Sequence, residues 1–388
     1  MNDKRKHENG QILVLLAIML AALLAILALV LDGGNLYLNR RTAQNAADAG
    51  ALAGARIYCL TESTSQAIST AKQYAEVHNG PTNAQVLVGS DIVTVTARIT
   101  FDTYFAPLIG IPEMAAEATA AAGCFFPTSG VGVLPIAWAC RPPIDSSLST
   151  SEDCQQQAIT KEQLEYYLDN PPPAGEIHPE LYIVMDSNSE PDDLEKSCIS
   201  NGGWLECDLD GDGEDDLNAN GDRSWLDLNG GGGGASELIN WINNGYPTII
   251  KAHTWMGGQP GNETTIYHAI ANHIGKIFAV PIFDAFCDRY PDPRCADLVH
   301  SDDTIVPSSG GNYYYHIAGF AGFYISCVNA PGVPGAECPG HRAARELGTI
   351  RANTKTIEGY FIAGVLPQLG GRPGTGIDFG AFALKLIR

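Results

Sequence analysis

Ile12-Leu-Val-Leu-Leu-Ala-Ile-Met-Leu-Ala-Ala-Leu-Leu-Ala-Ile-Leu-Ala-Leu-Val-Leu31 runs for twenty residues without a charge, a glycine or a proline. At about 1.5 Å of rise per residue, a helix of that length crosses roughly 30 Å, the thickness of a bilayer's hydrocarbon core. Inside lipid a single segment must satisfy its own backbone hydrogen bonds, and a helix is the structure that does so. The stretch therefore reads as a transmembrane helix. It divides the chain into a polar head, Met1 to Gln11, and a large remainder on one side of the membrane.

The head carries Lys4-Arg5-Lys6, and the positive-inside rule places it in the cytoplasm; Arg40 and Arg41 beyond the span weaken that bias. The apolar run is longer than the h-region of about 7–15 residues of a cleaved signal, and no small-x-small site follows it directly, so the reading is a retained anchor. All ten cysteines (Cys59, Cys124, Cys140, Cys154, Cys198, Cys207, Cys287, Cys295, Cys327 and Cys338) lie beyond the run. An even number on one side suits an oxidising compartment and tips the orientation toward an extracytoplasmic C-terminal part. Spacing alone leaves their connectivity open. Pairing neighbours would give Cys140–Cys154, Cys198–Cys207, Cys287–Cys295 and Cys327–Cys338, with Cys59–Cys124 tying the ends of the first domain. The chain holds 44 acidic residues against 23 Lys plus Arg, a formal net charge of −21. Phosphate backbones would be repelled, which argues against nucleic acid as a partner.

Past the run, Asp32-Gly33-Gly34 reads as a flexing point at the membrane surface. Asn35 to Arg56 then resumes as a helix, because alanine has the highest helix propensity. Its small residues allow another helix or a sheet to approach closely. The combined pattern is Gly10-Gln11, an apolar run, Asp32-x-Gly34, Tyr37, Arg40-Arg41 and Gln44-Asn-Ala-Ala-Asp-Ala-Gly-Ala-Leu-Ala-Gly-Ala55. It resembles the N-terminus of TadE/TadG-like Flp (tight-adherence) pilus-assembly proteins over about the first 55 residues. The resemblance implies a single-span, pilin-like anchor whose ectodomain serves pilus assembly or surface attachment. The implied partners are the Tad/Flp pilus machinery or other pilin-like helices. Substrates of the prepilin peptidase in this class carry Glu five residues after the cleavage glycine; here that residue is Leu15, which favours an uncleaved, TadG-like protein.

Further along, Ile92 to Phe101 alternates, with Val93, Val95, Ala97 and Ile99 on one face, the period of a half-buried strand. Pro112 to Ala122 fits a short helix or a further strand. Residues 1–11 thus form a cytoplasmic head, 12–31 the span, 32–126 a helix-plus-strand stalk domain and 127–388 an extracytoplasmic α+β domain. Within the last, helices are expected at Lys161–Leu168, with Thr160 and Gln163 at capping-box spacing, at Ser236–Asn243 with Ser236 as N-cap, and at Thr264–Ile274. Strands are expected at Leu181–Met185, Lys276–Phe283, Tyr313–Val328 (one strand or two), Thr356–Val365 and Phe379–Ile387. The fold class is α+β: a transmembrane helix extended into a pilin-like helix, then a strand-rich mixed ectodomain.

The strongest chemical signal is in the acidic, glycine-rich segment 198–234. Calcium takes about six to eight hard oxygens, which alternate side chains of a tight loop supply. A first loop would use Asp208, Asp210, Asp212 and Asp216. A second would use Asp216, Asn218, Asn220, Asp222, Ser224 and Asp227. The loops resemble EF-hand-like and dockerin-like calcium loops, and the metal's role would be structural. No Gly-x-Ser-x-Gly, HExxH or CxxC is present, so neither an enzyme nor a zinc site is expected. His253, His300, His316 and His341 have no local partners and read as surface or packed residues. The expected function is that of a membrane-anchored, extracytoplasmic component of a Flp/Tad-type pilus assembly or attachment system; the alternative is a calcium-dependent adhesin on the same anchor.

Overall fold

The computed structural model describes residues 9–80, 83–89, 92–139, 158–173, 176–178, 180–185, 217–219, 225–232, 234–259, 263–288, 301, 303–307, 313–335, 337–346, 350–371 and 376–387. The chain divides into two compact units, Met1–Gly123 with Lys385–Arg388, and Cys124–Leu384. Strand-rich sheets and shorter helices succeed a long N-terminal helix, the expected α+β class.

The first unit is built on α1 (Asn9–Thr61), a single helix of 53 residues. It is long and apolar enough to cross a membrane. At Asp32–Gly34, where a flexing point was expected, all three residues are helical. Each glycine costs about 1 kcal/mol of helix propensity. A helix this long, braced at Asp32 by bonds to a neighbouring loop, absorbs that cost. Beyond Arg41 one stripe of α1 is buried: Ala43, Ala46, Ala47, Gly50, Ala51, Gly54 and Ala55 recur at helical spacing. The helix turns back at Glu62 (φ 52°) into α2 (Thr64–Lys72), whose N-cap Ser63 accepts the amide of Gln66. A π-helical turn, Gln73–His78, extends α2.

Three antiparallel strands complete the unit: β1 (Asn83–Val88), β2 (Ile92–Asp102) and β3 (Glu113–Phe125). Val93, Val95, Ala97 and Ile99 of β2 are buried, the face expected from their alternation. The segment that fitted either helix or strand is a strand. Ala116, Ala118, Ala120 and Ala122 point inward with exposed Glu117 and Thr119 between them. Pairing of Ala116 to Ala122 with the β2 residues Ile99 to Val93 overrides alanine's preference for helix.

The small-residue stripe of α1 is covered by this unit's own elements. A Cβ built on Gly54 would lie 2.9 Å from Ala71 Cβ and 3.0 Å from Val93 Cγ1, and one on Gly50 2.9 Å from the Ala71 carbonyl oxygen. The small residues, expected to let another helix or a sheet approach closely, seat α2 and β2, because only glycine and alanine leave room for backbones this close.

The second unit contains β4 (Pro127–Gly130), β5 (Trp138–Ala139), β6 (Ala158–Ile159), α3 (Lys161–Asp169), β7 (Tyr182–Met185), β8 (Leu217–Ala219), α4 (Ala235–Asn244), β9 (Ile250–Lys251), β10 (Thr254–Gly257), α5 (Thr264–Ala271), β11 (Ile277–Asp288), β12 (Thr304–Val306), β13 (Tyr313–Asn329), α6 (Pro339–Glu346), β14 (Thr356–Ile362), β15 (Gly364–Val365), β16 (Leu369–Gly371) and β17 (Ala381–Ile387), of which the residues from Lys385 on count with the first unit. The capping box of Thr160 and Gln163 is formed in full. The cap of α4 is Gly234, not Ser236, and the helix starts one residue earlier than expected.

The 17-residue β13 is the spine of the main sheet. Along one edge it pairs antiparallel with β11; its other edge is shared by β10 at Tyr314–Ile317 and β14 at Phe323–Asn329. β12 extends the β10 side, and β7 and β8 the β14 side. The core around it is aromatic, with Trp138 between Phe323 and Phe361 at ring separations of 4.3 and 5.7 Å. Gly359 lets β14 approach: a Cβ there would lie 2.5 Å from the ring of Phe323.

The disulfide expected between Cys327 and Cys338 is present and ties β13 to the entrance of α6. Cys59 and Cys124 are also disulfide-bonded. Close by α6, the buried carboxylate of Glu358 on β14 accepts the first amides of that helix, Gly340 at 2.9 Å and His341 at 2.6 Å. Burial pushes this carboxyl up to about 7, against the pull of those two donors.

Candidate functional site

Three places carry polar chemistry beyond what packing requires. The first is at the end of the apolar run. Asp32 lies one residue past Leu31, and its carboxylate accepts three consecutive backbone amides: Tyr104 at 2.6 Å, Phe105 at 3.0 Å and Ala106 at 2.8 Å. These amides open a 3₁₀ turn, Ala106–Ile109, whose own first donors have no partners within it. Asn35 reinforces the clasp by donating to the carbonyl of Asp102, and Thr103 Oγ1 closes the loop base on the carbonyls of Ile111 and Pro112. The loop so held exposes Tyr104 by 70%, Leu108 by 86% and Ile109 by 77%.

The second is the segment expected to hold calcium. Asp208, Asp210, Asp212, Asp216, Asn220, Asp222 and Ser224 lie outside the described residues. Asn218 falls in β8, its backbone in parallel register with Val184. Asp227 is fully buried, and its carboxylate caps the glycine run: Oδ1 accepts the amide of Gly230 at 2.8 Å and Oδ2 that of Gly232 at 3.1 Å. Both glycines have positive φ. The chain between Asp227 and Gly232 is thus a carboxylate-pinned turn.

The third gathers His253, Asp303 and His316, whose potential ligand atoms all lie within 4.8 Å of one another. Strand register makes the group. His316 on β13 stands opposite Trp255 of β10 and Ala285 of β11. His253 immediately precedes β10; its amide donates to the Ile317 carbonyl and its own carbonyl accepts from Thr304, one residue past Asp303. Asp284 is an extra residue in β11: the register steps from Phe283↔Ile317 to Ala285↔His316, and the resulting bulge re-aims Asp284. Its Oδ1 meets His316 Nδ1 at 2.5 Å. On the other side of the ring, His316 Nε2 faces Asp303 Oδ1 at 3.4 Å, and Trp255 Nε1 donates to Asp303 Oδ2 at 2.8 Å.

The Asp303 side chain is fully buried and that of His316 only 7% exposed, while His253 is exposed. Burial disfavours the His316 imidazolium, but the bond from Asp284 and the two carboxylate charges outweigh it and raise the pKa. His253 sits at φ 58°, one of two non-glycine residues with positive φ among those described. Such a conformation marks a place where the surroundings impose a backbone that the residue would not choose.

Sequence reading finds none of this constellation, because the histidines have no partners nearby in the chain. The one local cue is polarity out of place: His316 interrupts the apolar run Tyr313 to Phe320. Its partners come from three other strands or strand ends. His341, expected to have no local partner, has one four residues earlier in the chain, its Nδ1 lying 2.9 Å from Glu337 Oε1.

No curated protein and no solved structure matches the chain. Residues 10–56 match the model of the Tad family, described as Flp pilus-assembly TadE/G-like, so the likeness extends over α1 from its first turn to Arg56.

Proposed function

We propose that this chain is a membrane-anchored, extracytoplasmic component of a Flp/Tad-type pilus assembly or surface-attachment system. The observation that carries the reading is a coincidence of boundaries. The Tad-like residues 10–56 fall within α1, whose first part is apolar enough to cross a membrane and whose second part is the spine of the first unit. One continuous helix would therefore transmit position from the membrane to the folded unit. Disulfides at Cys59, Cys124 and Cys327–Cys338 support an oxidising location for both units. In this reading the acidic loop binds calcium structurally, and the protein works by anchoring and presenting surfaces rather than by catalysis.

Crosslinking in native membranes, then affinity capture of the chain, tests it. Recovery of pilus-assembly proteins is expected. Recovery of surface glycans without them would replace this reading by that of an adhesin. Protease added to cells with a permeabilised outer layer should degrade the C-terminal unit; protection would reverse the topology.

A further inference from the structure

We propose that His253, Asp303 and His316 form a binding site for a divalent metal ion of the zinc class, with Asp284 as the residue that orients His316. The argument begins with the two rims of the His316 ring. A carboxylate on Nδ1 holds the ring with Nε2 toward Asp303 Oδ1, 3.4 Å away. A ring nitrogen and a carboxylate oxygen thus converge in a buried place, a pair that a proton or a metal ion can bridge. An imidazole backed by a carboxylate is the usual arrangement of a metal-bound histidine.

The donor set selects the metal. Two imidazoles and one carboxylate suit zinc and its neighbours, whereas calcium and magnesium require oxygen throughout. Zinc–nitrogen distances of about 2.0–2.1 Å place tetrahedral ligands roughly 3.3 Å apart. The His316–Asp303 separation of 3.4 Å already meets this. The remaining closure falls to His253, whose exposed ring is the one able to move. Three protein ligands leave a fourth position for water or for a group from another molecule. The indole of Trp255, 5.2 Å from the His316 ring, walls one side and holds Asp303.

The test uses the full chain in detergent, stripped with a chelator that is then removed, and titrated with Co²⁺. Expected is one equivalent giving the intense visible bands of four- or five-coordinate cobalt, displaced by Zn²⁺ and not by Ca²⁺. His253→Ala, at an exposed position, should abolish the bands without unfolding the protein. Asp284→Asn should weaken binding by about 10–100-fold. Absence of bands in the parent protein would mean that a proton alone sits between His316 and Asp303, and would overturn the proposal. Bands that survive in both His253→Ala and Asp303→Asn would overturn it equally, since the ion would then lie elsewhere.

A separate observation carries a second inference, which rests on the membrane-anchor reading above. We infer that the loop Tyr104–Ile111 is a second membrane contact, inserted into the lipid interface beside α1. Asp32 marks the end of the apolar run, and its three bonds hold the loop at that level of the helix. Tyr104, Leu108 and Ile109 are exposed there in a chain of net charge −21. An aromatic ring with a polar tip beside aliphatic side chains is the composition that settles at headgroup depth.

Leu108→Trp and, as a control within the run, Leu20→Trp are reconstituted in phosphatidylethanolamine/phosphatidylglycerol nanodiscs with brominated acyl chains. Fluorescence is read as the difference from the parent protein. Quenching of both is expected. Quenching at position 20 alone would overturn the loop contact and leave the anchor intact; quenching at neither would overturn both.

Discussion

Asp32 accepts the backbone N–H of Tyr104 at 2.6 Å, joining residues 72 positions apart. The bond fixes where the folded part of the first unit meets the apolar part of α1. Asp32→Ala leaves three consecutive amides without their acceptor, and each must find water or another partner. Hydrogen exchange at Tyr104, Phe105 and Ala106 should quicken by about tenfold or more, as expected for local opening. Asp32→Asn, with one acceptor oxygen for three donors, should fall between. Mass spectrometry of the exchanged peptide reads both, and unchanged exchange in Asp32→Ala would remove the clasp's role.

Glycines along α1 should respond in opposite ways. A side chain at Gly54 would collide with Ala71 and Val93, so Gly54→Val should destabilise the first unit by about 1–3 kcal/mol through overpacking. Gly33 has nothing within 4 Å of a built Cβ, and Gly33→Ala should gain up to about 1 kcal/mol from helix propensity. Thermal unfolding in detergent compares the two, and equal shifts would contradict this account of the stripe.

The carboxyl of Glu358 predicts a pH dependence. Its value of about 7 in the fold stands above the ordinary 4.5. The unfolded chain therefore releases this proton first as pH rises. The stability contributed by the protonated group is complete below about 4.5, falls as pH rises to about 7 and is flat beyond, a loss on the order of 3 kcal/mol. Glu358→Gln should flatten stability across that window. Urea unfolding at several pH values measures it, and an identical slope in the variant would remove Glu358 as the cause.

Calcium returned to stripped protein should raise the melting temperature if the acidic loop is a structural site. The double substitution Asp210→Asn with Asp212→Asn removes two of the hard oxygens and should abolish the rise. Absence of a calcium effect in the parent protein would dispose of the site.

Much of the architecture was legible from local pattern. The apolar run, the alternation in β2 and the capping box at Thr160 are each properties of a few consecutive residues. A period or a cap is set by geometry within one element, and so survives reading in one dimension. Where local signals disagreed with the fold, packing decided. Ala116 to Ala122 are good helix formers that became a strand, because β2 offered them a full run of pairing partners. Asp32-Gly-Gly reads as a hinge, yet the chain is helical there, and the Asp32 carboxylate finds its donors in a loop 72 residues further on.

The sequence by itself determined that residues 12–31 suit a bilayer, that a Tad-like helix continues them, and that strands dominate the rest of the chain. Hydropathy and periodicity are sums over neighbours and need no fold to be read. Only the tertiary structure decided that the alanine–glycine stripe is an internal seat for α2 and β2. It alone brought His253, Asp284, Asp303 and His316 together. Their meeting depends on the register of β10, β11, β12 and β13 and on one bulged residue. A one-residue slip in a strand would turn each side chain to the opposite face, and no stretch of sequence around any one of them records the choice.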